Sequence, residues 1–117
     1  MADKIRRIEE RDFNVVSALY NGRKSVAELK WLFTNPDDST IYNAFVAENS
    51  KNQINGVIGF VLSVYTDNKT ELTGSIPISW KIKSDYKGMA GVLLFKKVMN
   101  LGDFGITIAG SETAQGL

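Results

Sequence analysis

Trp80-Lys81-Ile82-Lys83-Ser84-Asp85-Tyr86-Lys87-Gly88-Met89-Ala90-Gly91-Val92-Leu93-Leu94 reads as a strand that runs into a glycine turn and opens directly into a helix. Such a turn aims unpaired backbone N–H groups and the positive end of a helix dipole at one point in space, which suits a phosphate or pyrophosphate. Glycine lets the backbone approach that anion closely, and Lys87 and Lys83 add positive charge beside it. The turn lacks the Gly-Lys-Ser/Thr ending of a P-loop. Gly88-Met89-Ala90-Gly91 is also not the dinucleotide fingerprint Gly-x-Gly-x-x-Gly. Glycine-containing strand-to-helix turns occur as well in proteins that bind nothing there, so the turn alone leaves both readings open.

Outward from this stretch, Ile76, Ile78, Trp80 and Ile82 alternate with Pro77, Ser79, Lys81 and Lys83 and are expected on one face of a strand. Pro77 cannot donate to a ladder and predicts a bulge or an unpaired side, while Gly56 and Gly59 suggest bending in the strand before. That earlier strand, 53–65, pairs as a hairpin with 41–48 across the polar turn 49–52, and Asp67-Asn68-Lys69 makes the next turn. Nearer the N-terminus, 4–10 is a candidate edge strand whose Lys4, Arg6 and Arg7 read as solvated. Asp12 is placed as the cap of a helix that carries Phe13, Val16 and Tyr20 and stops at Asn21-Gly22. Ser25-Val26-Ala27-Glu28 fits a capping box for a second helix through Leu29, Leu32 and Phe33. Trp31 and Phe33 on that helix could line an acceptor pocket, but the preferred reading is core or helix-packing contacts. On the C-terminal side, the helix at 92–101 has a polar side of only Lys96, Lys97 and Asn100, so most of its circumference should be covered. A short buried strand at 104–109 follows, and Ser111 begins a further helix. The order is strand, two helices, three antiparallel strands, helix, strand and the start of a helix: an α+β pattern with a mixed sheet.

Composition narrows the chemistry. One 117-residue domain with 44% hydrophobic and 23% charged residues is an ordinary globular chain. Its formal charge of +1 gives no footprint for nucleic acid. With no cysteine and no histidine, disulfides, thiolate nucleophiles, Ser-His-Asp and Cys-His chemistry and Cys-based zinc sites are excluded, and no metal is expected. Apolar runs such as 57–62 and 90–95 are too short to span a bilayer, and the start Met1-Ala2-Asp3-Lys4 is polar, so a cytoplasmic location is the default expectation.

The stretch 86–94 resembles the acyl-CoA pyrophosphate loop of the GNAT superfamily, written Arg/Gln-x-x-Gly-x-Gly/Ala and followed by paired leucines. The element order around it is similar to that family over nearly the whole chain, and 109–114 resembles its fifth strand and the start of its fourth helix. Two departures stand out. Tyr86 replaces the usual Arg or Gln and Met89 replaces a glycine, or, if Lys87-Gly88 matches the common Arg-Gly, the loop is one residue short.

The resemblance implies a GNAT-like, mostly antiparallel sheet flanked by helices and ending after the fifth strand. It further implies acetyl-CoA or another acyl-CoA as co-substrate and direct transfer to a primary amine. The strand ending near Ile82 would part from the strand at 104–109. Backbone of Trp80, Lys81 and Ile82 would pair with pantothenate amides, and the N–H groups of Lys87, Gly88, Met89, Ala90, Gly91 and Val92 would hold the pyrophosphate. A backbone N–H of the splayed strand would stabilise the oxyanion. Glu71 and Glu48 are the candidate bases and neither is assigned; the family's tyrosine acid would lie beyond Leu117. A non-catalytic CoA-binding or interaction module, or a fragment of a longer acetyltransferase, is the alternative, and a homodimer would cover the open sheet edge.

Overall fold

The computed structural model describes residues 4–67, 69–83 and 89–105. The chain runs β1 (Lys4–Arg7), a 3-10 turn (Glu10–Asp12), α1 (Phe13–Leu19), α2 (Val26–Phe33), β2 (Thr34–Asn35), β3 (Asp38–Tyr42), β4 (Ala44–Glu48), β5 (Ile54–Asp67), β6 (Thr70–Ile82), α3 (Ala90–Met99) and β7 (Phe104–Gly105). Five strands form one sheet in the order β1-β4-β5-β6-β7, and β2 and β3 form a separate small ribbon. Every pairing in the large sheet is antiparallel except β6 with β7. This is the mixed, mostly antiparallel α+β architecture expected from the element order.

Local chemistry explains most boundaries. The Ser25 hydroxyl accepts from Glu28 N–H at 3.1 Å while the Glu28 carboxylate accepts from Ser25 N–H at 3.3 Å, the reciprocal box that starts α2. Asn21 and Gly22 both take left-handed backbone, φ 54° and 79°, and end α1. In the β4–β5 turn the Asn49 side-chain oxygen Oδ1 accepts from Lys51 N–H at 2.9 Å and Gln53 N–H at 3.0 Å. Asp12 differs from expectation. Its carboxylate accepts from Glu9 N–H at 2.7 Å and so closes the 3-10 turn instead of capping α1. The strand expected over 41–48 is broken at Asn43, whose N–H bonds the Phe33 carbonyl at 2.5 Å and whose carbonyl accepts from Phe60 N–H at 3.0 Å.

The sheet separates two cores. On one face, α1 and α2 pack Phe13, Val16, Leu29 and Phe33 against Ala44, Val46 and Val57. On the other, α3 packs Ala90, Leu94 and Val98 against Phe45, Ala47, Ile58 and Phe60. Glycines set how closely the helices approach: a Cβ at Gly59 would collide with the Phe33 ring, and one at Gly56 would lie 2.6 Å from Ile82 Cδ1 and 3.0 Å from Leu94 Cδ1. Ala90, Leu94 and Val98, spaced at i, i+4 and i+8, are the fully covered residues of α3, whereas Val92 is exposed, so less of the helix is buried than its composition predicts. Phe33 is buried as expected. Trp31 is not: it lies 81% exposed on the outer side of α2.

Candidate functional site: the far edge of β6 and the start of α3

Strand β6 is longer than its apolar alternation suggested and extends back to Thr70. Its register against β5 slips once. Gly59 faces Ile78 and Val57 faces Lys81, so the single residue Ile58 lies opposite both Ser79 and Trp80. The bulge anticipated from Pro77 therefore sits two residues later, at Ser79, which takes φ 49°, an uncommon conformation for a residue with a Cβ. One extra residue reverses the alternation. Ile78 packs in the α1/α2 core while Trp80 and Ile82 pack in the α3 core, so the four residues expected on one face are divided between two.

The same slip decides where the main chain of β6 points. Lys83 N–H donates to the Asn55 carbonyl at 2.7 Å. With Val57 opposite Lys81, the ladder alternation turns the backbone groups of Lys81 and Lys83 toward β5, and those of Trp80 and Ile82 toward the opposite edge. On that edge β7 runs parallel at Gly74–Phe104 and Ser75–Gly105, and among the described residues no strand pairs with β6 beyond Ser75. Main-chain donors and acceptors at Trp80 and Ile82 thus stand beside the N-terminal end of α3, where Ala90 is buried and Met89 and Val92 are exposed. Among the described residues, the nearest atoms to a Cβ placed on Gly91 would be side-chain atoms of Ile82 and Trp80 at 3.5 to 3.7 Å, ordinary contact distance. The packing of the described residues does not require a glycine there. Trp80 stacks on Phe95 with centroids 5.2 Å apart, and its buried Nε1 finds no hydrogen-bond partner among the described residues. The remaining predicted loop residues, Lys87 and Gly88 with Tyr86 before them, lie outside the described residues, as do the rest of the strand expected at 104–109 and the helix start at Ser111.

No protein-family model and no curated protein sequence matches the chain. Solved structures do. An acetyltransferase from Trypanosoma brucei superposes with TM-score 0.70 at 14% identity, over 96% of this chain and 85% of that one. A GNAT family acetyltransferase from Staphylococcus aureus gives 0.67 at 20% identity, over 96% and 89%. The N-acetyltransferase YlbP from Bacillus subtilis, solved in complex with coenzyme A, gives 0.62 at 12% identity, over 97% and 80%. The chain has the GNAT fold.

Within this GNAT fold the two candidate bases fare differently from their sequence reading. The Glu48 carboxylate accepts from Arg6 Nε at 3.3 Å and from an Arg6 terminal nitrogen at 3.1 Å, and the Arg6 hydrogen bonds hold its carboxyl below the usual range. Arg6 is therefore not a solvated edge charge, and Glu48 is a poor proton acceptor. Glu71 pairs with Thr66 near the tip of the β5–β6 hairpin, nine residues before Trp80, on the order of 30 Å along an extended strand. Among the described residues, no group of His, Asp or Glu could hold a metal ion, and no helix is long and apolar enough to cross a membrane.

A cleft of about 730 Å³ lies on the other side of the sheet from α3, between α1 and the ends of β5 and β6. Val15, Leu19 and Ile54 give it an apolar wall, and Asp12, Glu48 and Lys81 line it with charge. Neither the cleft nor the Arg6 cluster was anticipated from sequence. Both depend on contacts between residues more than forty positions apart.

Proposed function

We propose that this chain binds an acyl-CoA along the far edge of β6 and at the start of α3, and transfers an acetyl or other short acyl group directly to a primary amine. The observation that carries the reading is the turned-out main chain of Trp80 and Ile82 next to a helix N-terminus, within a fold shared with coenzyme A-bound N-acetyltransferases. Amides of a pantetheine arm need donors and acceptors at strand spacing, and Trp80 and Ile82 supply them; Lys81 gives its backbone to β5 and its side chain to the cleft on the other side of the sheet. Met89, Ala90, Gly91 and Val92 open α3, where main-chain N–H groups have no partner within the helix and attract a diphosphate. Lys87 and Gly88 would complete that cradle. A main-chain N–H near the bulge would meet the charge that develops on the thioester oxygen during attack. The incoming amine must lose a proton, and with Glu48 engaged by Arg6 and Glu71 remote, neither of these two carboxylates is placed to take it directly and a water would carry it away.

A non-catalytic CoA-binding module is the second reading, favoured by the same engagement of Glu48. Calorimetric titration with acetyl-CoA and dephospho-CoA tests the shared part, with micromolar binding of acetyl-CoA expected and the absence of heat and thermal shift counting against both. Release of free thiol in the presence of a panel of amines, including amino sugars, peptides and polyamines, then separates enzyme from module. A sizing column run with and without acetyl-CoA tests whether a second copy covers the sheet edge.

A further inference from the structure

Tyr20 closes α1 with its ring buried in the α1/α2 core, and its hydroxyl donates to the carbonyl of Ser79, 59 positions away on β6. Ser79 is the left-handed residue of the bulge, and this bond meets its carbonyl from the helix side of the sheet. We infer that Tyr20 is a positioning residue for acyl-CoA: by holding the Ser79 carbonyl it fixes the bulged register of β6, and so decides which main-chain groups face the cofactor edge. The inference rests on the acyl-CoA reading of that edge.

The argument is one of register. Without the extra residue at Ser79, the end of β6 would slip by one against β5, and a slip by one exchanges both faces and both edges of a strand. Lys81 would then turn into the α3 core in place of Trp80 and Ile82. The Trp80 and Ile82 backbone would turn into the β5 ladder, leaving only the Lys81 backbone on the far edge. A serine at φ 49° does not hold the bulged form by its own preference. The ladder pairs Gly59–Ile78 and Val57–Lys81 bracket the bulge, and the Tyr20 hydroxyl is the contact on Ser79 itself.

Tyr20→Phe keeps the ring and removes the donor. Ser17→Ala is the control, because Ser17 Oγ donates to the Lys24 carbonyl at 2.7 Å and supports the same end of α1 without touching β6. Calorimetry with acetyl-CoA and with adenosine 3′,5′-bisphosphate, the nucleotide part that lacks the pantetheine arm, separates positioning from general loosening. Tyr20→Phe is expected to weaken acetyl-CoA about tenfold, the scale of one part-buried hydrogen bond, and to leave the bisphosphate unchanged. Amide exchange at Ile78 and Lys81, followed by NMR on the unliganded protein, should quicken in Tyr20→Phe and not in Ser17→Ala. Equal weakening of both ligands, equal effects of the two variants, or unchanged exchange would overturn the assignment. If the unaltered protein binds neither ligand, the acyl-CoA reading fails by itself, and the exchange measurement alone decides whether Tyr20 holds the bulge.

Discussion

Arg6 on β1 grips Asp12, the last residue of the 3-10 turn, through two parallel hydrogen bonds of 2.7 and 3.0 Å, and the same guanidinium holds Glu48 at the end of β4. Across the β1–β4 pair Arg6 faces Val46 and Glu48 faces Lys4, so Arg6 and Glu48 are diagonal neighbours two positions apart in register, and one side chain ties the edge strand, the entry to α1 and the central sheet together. Asp12 is 5% and Arg6 15% exposed, which makes this a largely desolvated cluster. Arg6→Leu leaves the buried Asp12 carboxylate and the half-buried Glu48 without their cation and is expected to cost about 3 kcal/mol in urea-monitored unfolding, mostly through Asp12. A loss under about 1 kcal/mol would place the cluster among ordinary surface ion pairs.

The cluster also fixes how stability responds to acid. Burial pushes the Asp12 carboxyl up, but the Arg6 hydrogen bonds and the Glu9 N–H outweigh it and bring it below its ordinary value, and Arg6 lowers Glu48 as well. Carboxyls depressed in the folded state add stability above their unfolded pKa, and that stability disappears as pH falls through the folded value. Stability should therefore be level from neutral pH to about 5 and fall below about pH 4, where free carboxylates begin to protonate. Asp12→Asn should be less stable than the parent at pH 7, with the difference narrowing as pH drops toward 2. Parallel curves for the two proteins would contradict this account.

Gly59 shows a different constraint. The Phe33 ring occupies the space where its Cβ would stand, and Ile78 Cγ1 lies 3.0 Å away on the same side. Gly59→Ala must push α2 off the sheet or displace a core ring, at a cost of about 2 kcal/mol by the usual scale for overpacking. Urea unfolding with an unchanged m-value would confirm it; a neutral substitution would show that α2 has room to shift.

These residues mark the limits of sequence reading here. Periodicity and caps located α1, α2, the β4–β5 hairpin and α3, because those signals are local: Ser25 with Glu28, Asn21 with Gly22, Asn49 with Gln53. Glycine and proline announced irregularity in β5 and β6 but not its position or its consequence. The alternation of Ile76, Ile78, Trp80 and Ile82 looked regular only because the extra residue at Ser79 is invisible to a period-two count. The Arg6 cluster and the Tyr20–Ser79 bond were illegible for one reason, that each joins residues brought together by the tertiary fold. Gly59 and Gly56 read as bends, whereas they are the places where α2 and α3 come closest to the sheet.

Gly91 separates a packing role from a binding role. Its Cβ would rest at ordinary contact distance from Ile82 and Trp80, and it occupies the second position of α3, where alanine is the better helix former. Gly91→Ala should leave thermal stability unchanged or raise it by about 0.5 kcal/mol. The added methyl stands at the helix mouth where a diphosphate would approach the main chain, so acetyl-CoA affinity should drop about tenfold, on the scale of one lost close contact. Retained affinity in a stably folded variant would remove Gly91 from the binding surface.

The two tryptophans offer a direct reporter. Trp31 is 81% exposed and touches no core cluster, so Trp31→Phe should change stability by less than about 0.5 kcal/mol and leave an emission spectrum due to Trp80 alone. Trp80 is stacked on Phe95 beside the β6 edge, with its indole N–H lacking a partner among the described residues. Addition of acetyl-CoA to Trp31→Phe protein should shift or quench that emission with the same midpoint as the calorimetric titration. Trp80→Phe protein, with Trp31 left in place, should show calorimetric heat but no fluorescence change. A ligand that binds without altering Trp80 emission must sit away from the β6 edge, and the cleft beside α1 would become the place to look for it.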